Sequence, residues 1–131
     1  MRRWAMLFGL TVFSGTMLAG CADDGPGRRY VVFFSKGSAG IDTAADRVIR
    51  AAATAAAGYP ASPVTVAGYA AANGSRDAEE ALVGSRIAIV SATLRIDGVD
   101  PARIVTQPRP PSNETPTVGA RRVEITIGAA P

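Results

Sequence analysis

The chain of 131 residues contains no histidine and a single cysteine. Without histidine, the side chain most often used as a general base and as a neutral metal ligand is gone. With one cysteine, no disulfide can form within the chain. Aromatic residues make up only 6% of it, so a core has to be built from Val, Ile, Leu and Ala. No apolar run reaches the roughly 20 residues that a membrane-spanning helix needs. Ser75, Ser85, Ser91, Asp42, Asp77 and Glu79 are among the available nucleophiles and acids. None stands in a pattern that pairs it with a base, and no metal-ligand spacing occurs. The chain therefore reads as neither an enzyme nor a metal protein, and no cofactor is expected.

What is present begins at the N-terminus. Arg2 and Arg3 precede an apolar run from Trp4 to Leu10, then Thr11-Val12-Phe13 and Met17-Leu18-Ala19. A basic start, an apolar stretch and a small-residue end make a secretory signal. Its last residues, Leu18-Ala19-Gly20-Cys21, resemble the lipobox of bacterial lipoproteins. The resemblance implies that residues 1–20 are removed and that Cys21 carries a diacylglycerol on its thiol and an acyl chain, such as palmitate, on its amine. One acyl chain holds a protein only reversibly, whereas two or three together anchor it firmly. Ala22, where an aspartate would favour retention at the inner membrane, implies the periplasmic face of the outer membrane. Ala22 to Arg29 reads as a tether that spans at most ~28 Å. Residues 21–29 are thus the lipidated cysteine and its tether, and residues 30–131 a single domain.

Cleavage also settles the charge. The whole chain carries 14 Lys+Arg against 11 Asp+Glu, a net charge of +3. Removing Arg2 and Arg3 leaves 12 against 11, a net of +1. No nucleic-acid partner is expected from so small a surplus.

Hydrophobic patterning places the elements. Tyr30–Phe34 (YVVFF) is a β-branched and aromatic run, a buried strand. Asp42 or Thr43 can cap a helix whose apolar face is Val48, Ile49, Ala52, Ala53 and Ala56, and which ends at Gly58-Tyr59-Pro60. Pro63–Tyr69 suggests a second strand through Val64 and Val66. A long helix spans about Asp77 to Asp97 and stops at Gly98. Ile104-Val105-Thr106 is a short strand, and Pro108–Ala120 a proline-rich loop. Arg121–Ile127 closes the chain as a strand, with Val123, Ile125 and Ile127 on one face. The order β-α-β-α-β-β calls for an α+β two-layer sandwich, helices packed on one face of a mixed sheet.

One residue in the long helix breaks its pattern. At about 100° per residue, with Leu82 at zero, Ile96, Ile89, Val90 and Leu94 fall between about −40° and +120°. Arg86 falls near +40°, inside that stripe. A buried arginine needs acceptors. Four arrangements meet the need: a protein carboxylate from Glu79 or Asp77, a set of backbone carbonyls, a ligand carboxylate gripped by the planar fork, or a stem that snorkels to water.

From Tyr30 to Ile127 the chain resembles the OmpA-like C-terminal domain. Gly68-Tyr69 followed by Gly74 looks like that family's G-[HY]-T-D-x-x-G loop. Leu82, Arg86, Val90, Leu94, Gly98 and Val99 match the spacing of its long helix, Asp100–Ile104 the connection that follows, and Arg121–Ile125 its closing R-R-V-E-I strand. The resemblance implies non-covalent association with peptidoglycan. It places Arg86 at the arginine that takes a stem-peptide carboxylate, with Gly68 and Tyr69 in the adjoining loop. The loop aspartate that would hold the amine falls at Ala71, its preceding threonine at Ala70, and the helix serine at Val83. Glu79, which stands where the family has asparagine, and Asp77 are the two candidate replacement anions. Two functions follow from this half-complete clamp. One is an envelope lipoprotein bound to peptidoglycan. The other is a degenerate OmpA-like domain that serves as a protein-interaction or structural module with envelope partners.

Overall fold

The computed structural model describes residues 28–69, 75–109 and 120–128. Cys21, loop positions 70 and 71, and most of the proline-rich segment lie outside them. The elements run β1 (Arg28–Phe33), α1 (Thr43–Ala57), β2 (Val64–Tyr69), α2 (Arg76–Ile96), β3 (Ile104–Arg109) and β4 (Arg122–Ile127), with a 3-10 turn at Pro101–Arg103. The strands form one mixed sheet in the order β1-β4-β2-β3. β4 is antiparallel to both β1 and β2, while β2 and β3 run parallel.

Alternation along the strands divides the sheet into two faces. Val32, Val64, Val66, Val123, Ile125 and Ile127 are all nearly inaccessible and pack with Ile49, Ala52, Val90 and Leu94 of the two helices. The opposite face carries Arg29, Val31 and Phe33 of β1, Arg122, Glu124 and Thr126 of β4, Thr65, Ala67 and Tyr69 of β2, and Val105, Gln107 and Arg109 of β3. The expected α+β sandwich, with both helices on one face of a mixed sheet, is the structure observed.

The helix ends follow local chemistry. The Asp42 carboxylate accepts from the Ala45 backbone N–H at 2.7 Å and caps α1, a contact worth about 1 kcal/mol. Ser75 does the same for α2 through Ala78. Gly98, at φ +101°, turns the chain out of α2. The Val99 N–H then reaches back to the Leu94 carbonyl, closing the helix in the six-residue loop that a left-handed glycine permits.

Three sequence expectations need correction. β1 begins at Arg28, so Arg28 and Arg29 belong to the sheet rather than the tether; they extend the pairing with Ile127 and Thr126. β3 extends through Pro108 to Arg109. It lies at the end of the sheet order, where a proline can sit without breaking a ladder on both sides. The third correction concerns α2. Its buried residues are Val83, Arg86, Ile87, Val90 and Leu94, an arc centred near +95° rather than close to Leu82. Ile89 is 38% exposed and Ile96 84%. Placing isoleucines inward by composition alone turned the arc by most of a quadrant; Val83 and Ile87 face the sheet instead.

Candidate functional site

Arg86 is 1% exposed and ranks among the largest fully buried side chains. Its Nε donates to the Ser38 carbonyl at 2.9 Å and its Nη2 to the Ser35 carbonyl at 3.3 Å. The guanidinium carbon lies 5.2 Å from the centroid of the Phe34 ring, within cation–π range. The acceptors are positioned by the turn between β1 and α1. The Ser38 N–H bonds the Ser35 carbonyl, and the Ser38 hydroxyl accepts from Gly40. Of the four arrangements open to Arg86, the one present is the set of backbone carbonyls. Burial lowers its pKa; Glu79 opposes that shift and Arg121 adds to it. A guanidinium stays charged across any ordinary pH. Among the described residues no carboxylate lies within ion-pair distance of it. Arg121 adds a second cation to the neighbourhood, its Nε donating to the Phe34 carbonyl at 3.3 Å.

The other sequence-selected residues do not all gather here. Glu79 stands two turns before Arg86 on α2, half-buried, and acts on Arg86 through space. Gly68 lies under α2. A Cβ there would come within 2.8 Å of Ile87 and of Val83, so this glycine exists for the close approach of helix and strand. Tyr69 is on the outer face of the sheet, away from Arg86. Its hydroxyl donates to Glu124 at 3.1 Å, and the Arg122 guanidinium lies 3.9 Å from its ring centroid. Ala70 and Ala71 fall outside the described residues.

Sequence reasoning missed two features. Arg103 donates from Nε to the Ser62 carbonyl and from Nη2 to the Ala56 and Tyr59 carbonyls, at 2.8–3.0 Å. It thereby satisfies the C-terminal end of α1, where Gly58 stays right-handed at φ −74°. Its place in the matched Asp100–Ile104 connection was the available signal. The second feature is a basin of about 150 Å³ on the outer sheet face, lined by Arg29, Thr65, Tyr69, Arg109, Arg122 and Glu124 among others. Glu124 accepts from Arg122 Nε at 3.0 Å and lies 3.8 Å from Arg29 Nε. A groove of about 500 Å³ also runs between α2 and β3, past Gly84, Ala88 and Ser91. Among the described residues no cluster of three or more metal-ligating side chains occurs, and no helix is long and apolar enough to cross a membrane.

No protein-family model and no curated protein matches the sequence. Solved structures do match the fold. The OmpA-like domain of FopA1 from Francisella tularensis superposes with a TM-score of 0.69 at 19% identity, over 77% of this chain and 71% of that one. The C-terminal domain of Helicobacter pylori MotB gives 0.65 at 19%, over 76% and 84%. The peptidoglycan-associated lipoprotein of Burkholderia pseudomallei gives 0.63 at 15%, over 76% and 88%. At these identities the likeness is one of fold: the α+β sandwich is that of OmpA-like domains.

Proposed function

We propose that this chain is an envelope lipoprotein, acylated at Cys21 on the periplasmic face of the outer membrane, whose OmpA-like domain associates non-covalently with peptidoglycan. The observation that carries the binding half is the charge state around Arg86. Among the described residues its guanidinium is bonded to neutral acceptors, and Arg86 and Arg121 outnumber Glu79. A carboxylate is the group that would complete this arrangement, and peptidoglycan stem peptides present carboxylates. The printed name of one structural neighbour, a peptidoglycan-associated lipoprotein, supports the same reading. With Arg86 almost inaccessible, a ligand reaches it only when the Ser35–Ser38 turn yields. With alanine at position 71 no loop anion meets the ligand's amine, which weakens the grip by about ten- to a hundredfold.

One observation favours the second reading, a structural or protein-interaction module. As observed, Arg86 rivets α2 to the β1–α1 turn through two carbonyls and Phe34. A sedimentation assay with purified peptidoglycan separates the two. The mature chain should co-sediment, alongside a known peptidoglycan-associated lipoprotein as reference, and soluble diaminopimelate should compete. Arg86→Lys, which keeps the charge but not the fork, should lower retention at least tenfold while the fold persists. If the reference is retained and this chain is not, the peptidoglycan reading fails and the structural one stands. Metabolic labelling with palmitate tests the anchor, with Cys21→Ala as the control that should lose the label.

A further inference from the structure

The helix-free face of the sheet combines three features. Among the described residues, Arg29, Arg109 and Arg122 surround one carboxylate, Glu124, so these residues carry a surplus of two positive charges. The described residues together carry 12 Lys+Arg against 8 Asp+Glu, a surplus of four, so half of that surplus lies on this one face. Positive charge is therefore concentrated on this side of the described domain. The arginines are accessible: the Arg29 side chain is 52% exposed and that of Arg122 25%. Two apolar side chains flank them on the same face, Phe33 at 50% exposure on β1 and Val105 at 43% on β3. Among the described residues neither helix covers this side, because both pack on the opposite face.

We propose that this sheet face docks on anionic lipid headgroups, holding the domain flat against the membrane with its helix layer turned away. The assignment rests on the anchor reading above. Arg28, the first residue of β1, is seven positions after Cys21, a reach of at most ~25 Å. A domain on so short a leash presents some face to the membrane at all times. The one whose charge complements an anionic surface is favoured, by on the order of fivefold in partition for each arginine that reaches it. Arginine stems and Phe33 suit the boundary between headgroups and acyl chains, with charged ends in the polar layer. Arg86 and the Ser35–Ser38 turn, which belong to the helix side, would then face away from the lipid.

The test is co-sedimentation of the unacylated chain from residue 22 onward, which keeps every described residue, with phosphatidylglycerol or phosphatidylcholine vesicles. Binding to phosphatidylglycerol vesicles is expected, with little to phosphatidylcholine, and it should fall as salt shortens the screening length. Arg29→Glu with Arg109→Glu should weaken it at least about twentyfold. Arg47→Glu with Arg95→Glu, the same charge change placed on the helices, should weaken it far less. Equal loss in both double variants would overturn the docking face in favour of net charge, and equal binding to both vesicle types would overturn it outright. Binding to soluble polyglutamate as strong as to the vesicles would reassign the face to an acidic polypeptide. Palmitate labelling keeps the two readings apart: a labelled chain that ignores anionic vesicles defeats this inference alone, and an unlabelled chain defeats the anchor.

Discussion

Gly68 shows how a single missing methyl sets the spacing between layers. Any other residue would place a Cβ within 2.8 Å of Ile87 and Val83, and both are buried where α2 crosses β2. Gly68→Ala should destabilise the fold by about 1–3 kcal/mol through overpacking, read as a lower urea midpoint with an unchanged slope. Adding Ile87→Val or Val83→Ala to it should recover part of the loss, a coupling that a double-mutant cycle measures. The sequence marked Gly68 as a loop residue near the ligand because it precedes Tyr69 in a recognisable motif. Its role in packing was hidden, because a glycine reports nothing about which side chain lies above it. Arg86 was more legible. Helical geometry alone put it inside the buried arc and required acceptors. Those acceptors are backbone carbonyls from a turn some fifty positions away, and no side-chain pattern announces them.

The helices show where local rules suffice and where tertiary contacts replace them. Asp42, Ser75 and Gly98 do at the helix ends what their residue types predict. The C-terminus of α1 is different: its carbonyls are taken by Arg103 from beyond α2. Arg103→Ala should therefore loosen α1 rather than its own neighbourhood. An expected loss of about 2–3 kcal/mol follows from three carbonyls deprived of a charged donor. Hydrogen exchange should rise first in the last turn of α1. Loss of protection confined to residues around 101–104 would argue against this coupling. The inward arc of α2 was misjudged from sequence because isoleucines occupy both sides of the helix. Ile89 and Ile96 are as apolar as Ile87, and only the position of the sheet decides among them.

At the scale of the whole molecule, β4 joins the sheet together. Among the described residues it is the only neighbour of β1 in the sheet order, and it is the partner of β2 on its other side. A chain ending at Arg121 should show no cooperative thermal transition by circular dichroism, although both helices and three strands remain encoded. Retention of a sharp transition would mean that β1 can pair elsewhere. The pattern of elements was readable from the alternation of Val123, Ile125 and Ile127 and from the two crossovers. The order of strands was not, because alternation shows which face is buried and says nothing of which neighbour is beside it.

The same placement has a consequence during synthesis. Arg28 finds its partner in Ile127, and Val32 in Val123, so the first strand made waits for the fourth. Until residue 122 has left the ribosome, the sheet lacks its middle and β1 has nothing to pair with. A nascent chain in that condition stays threadable and closes on itself only after β4 has come through.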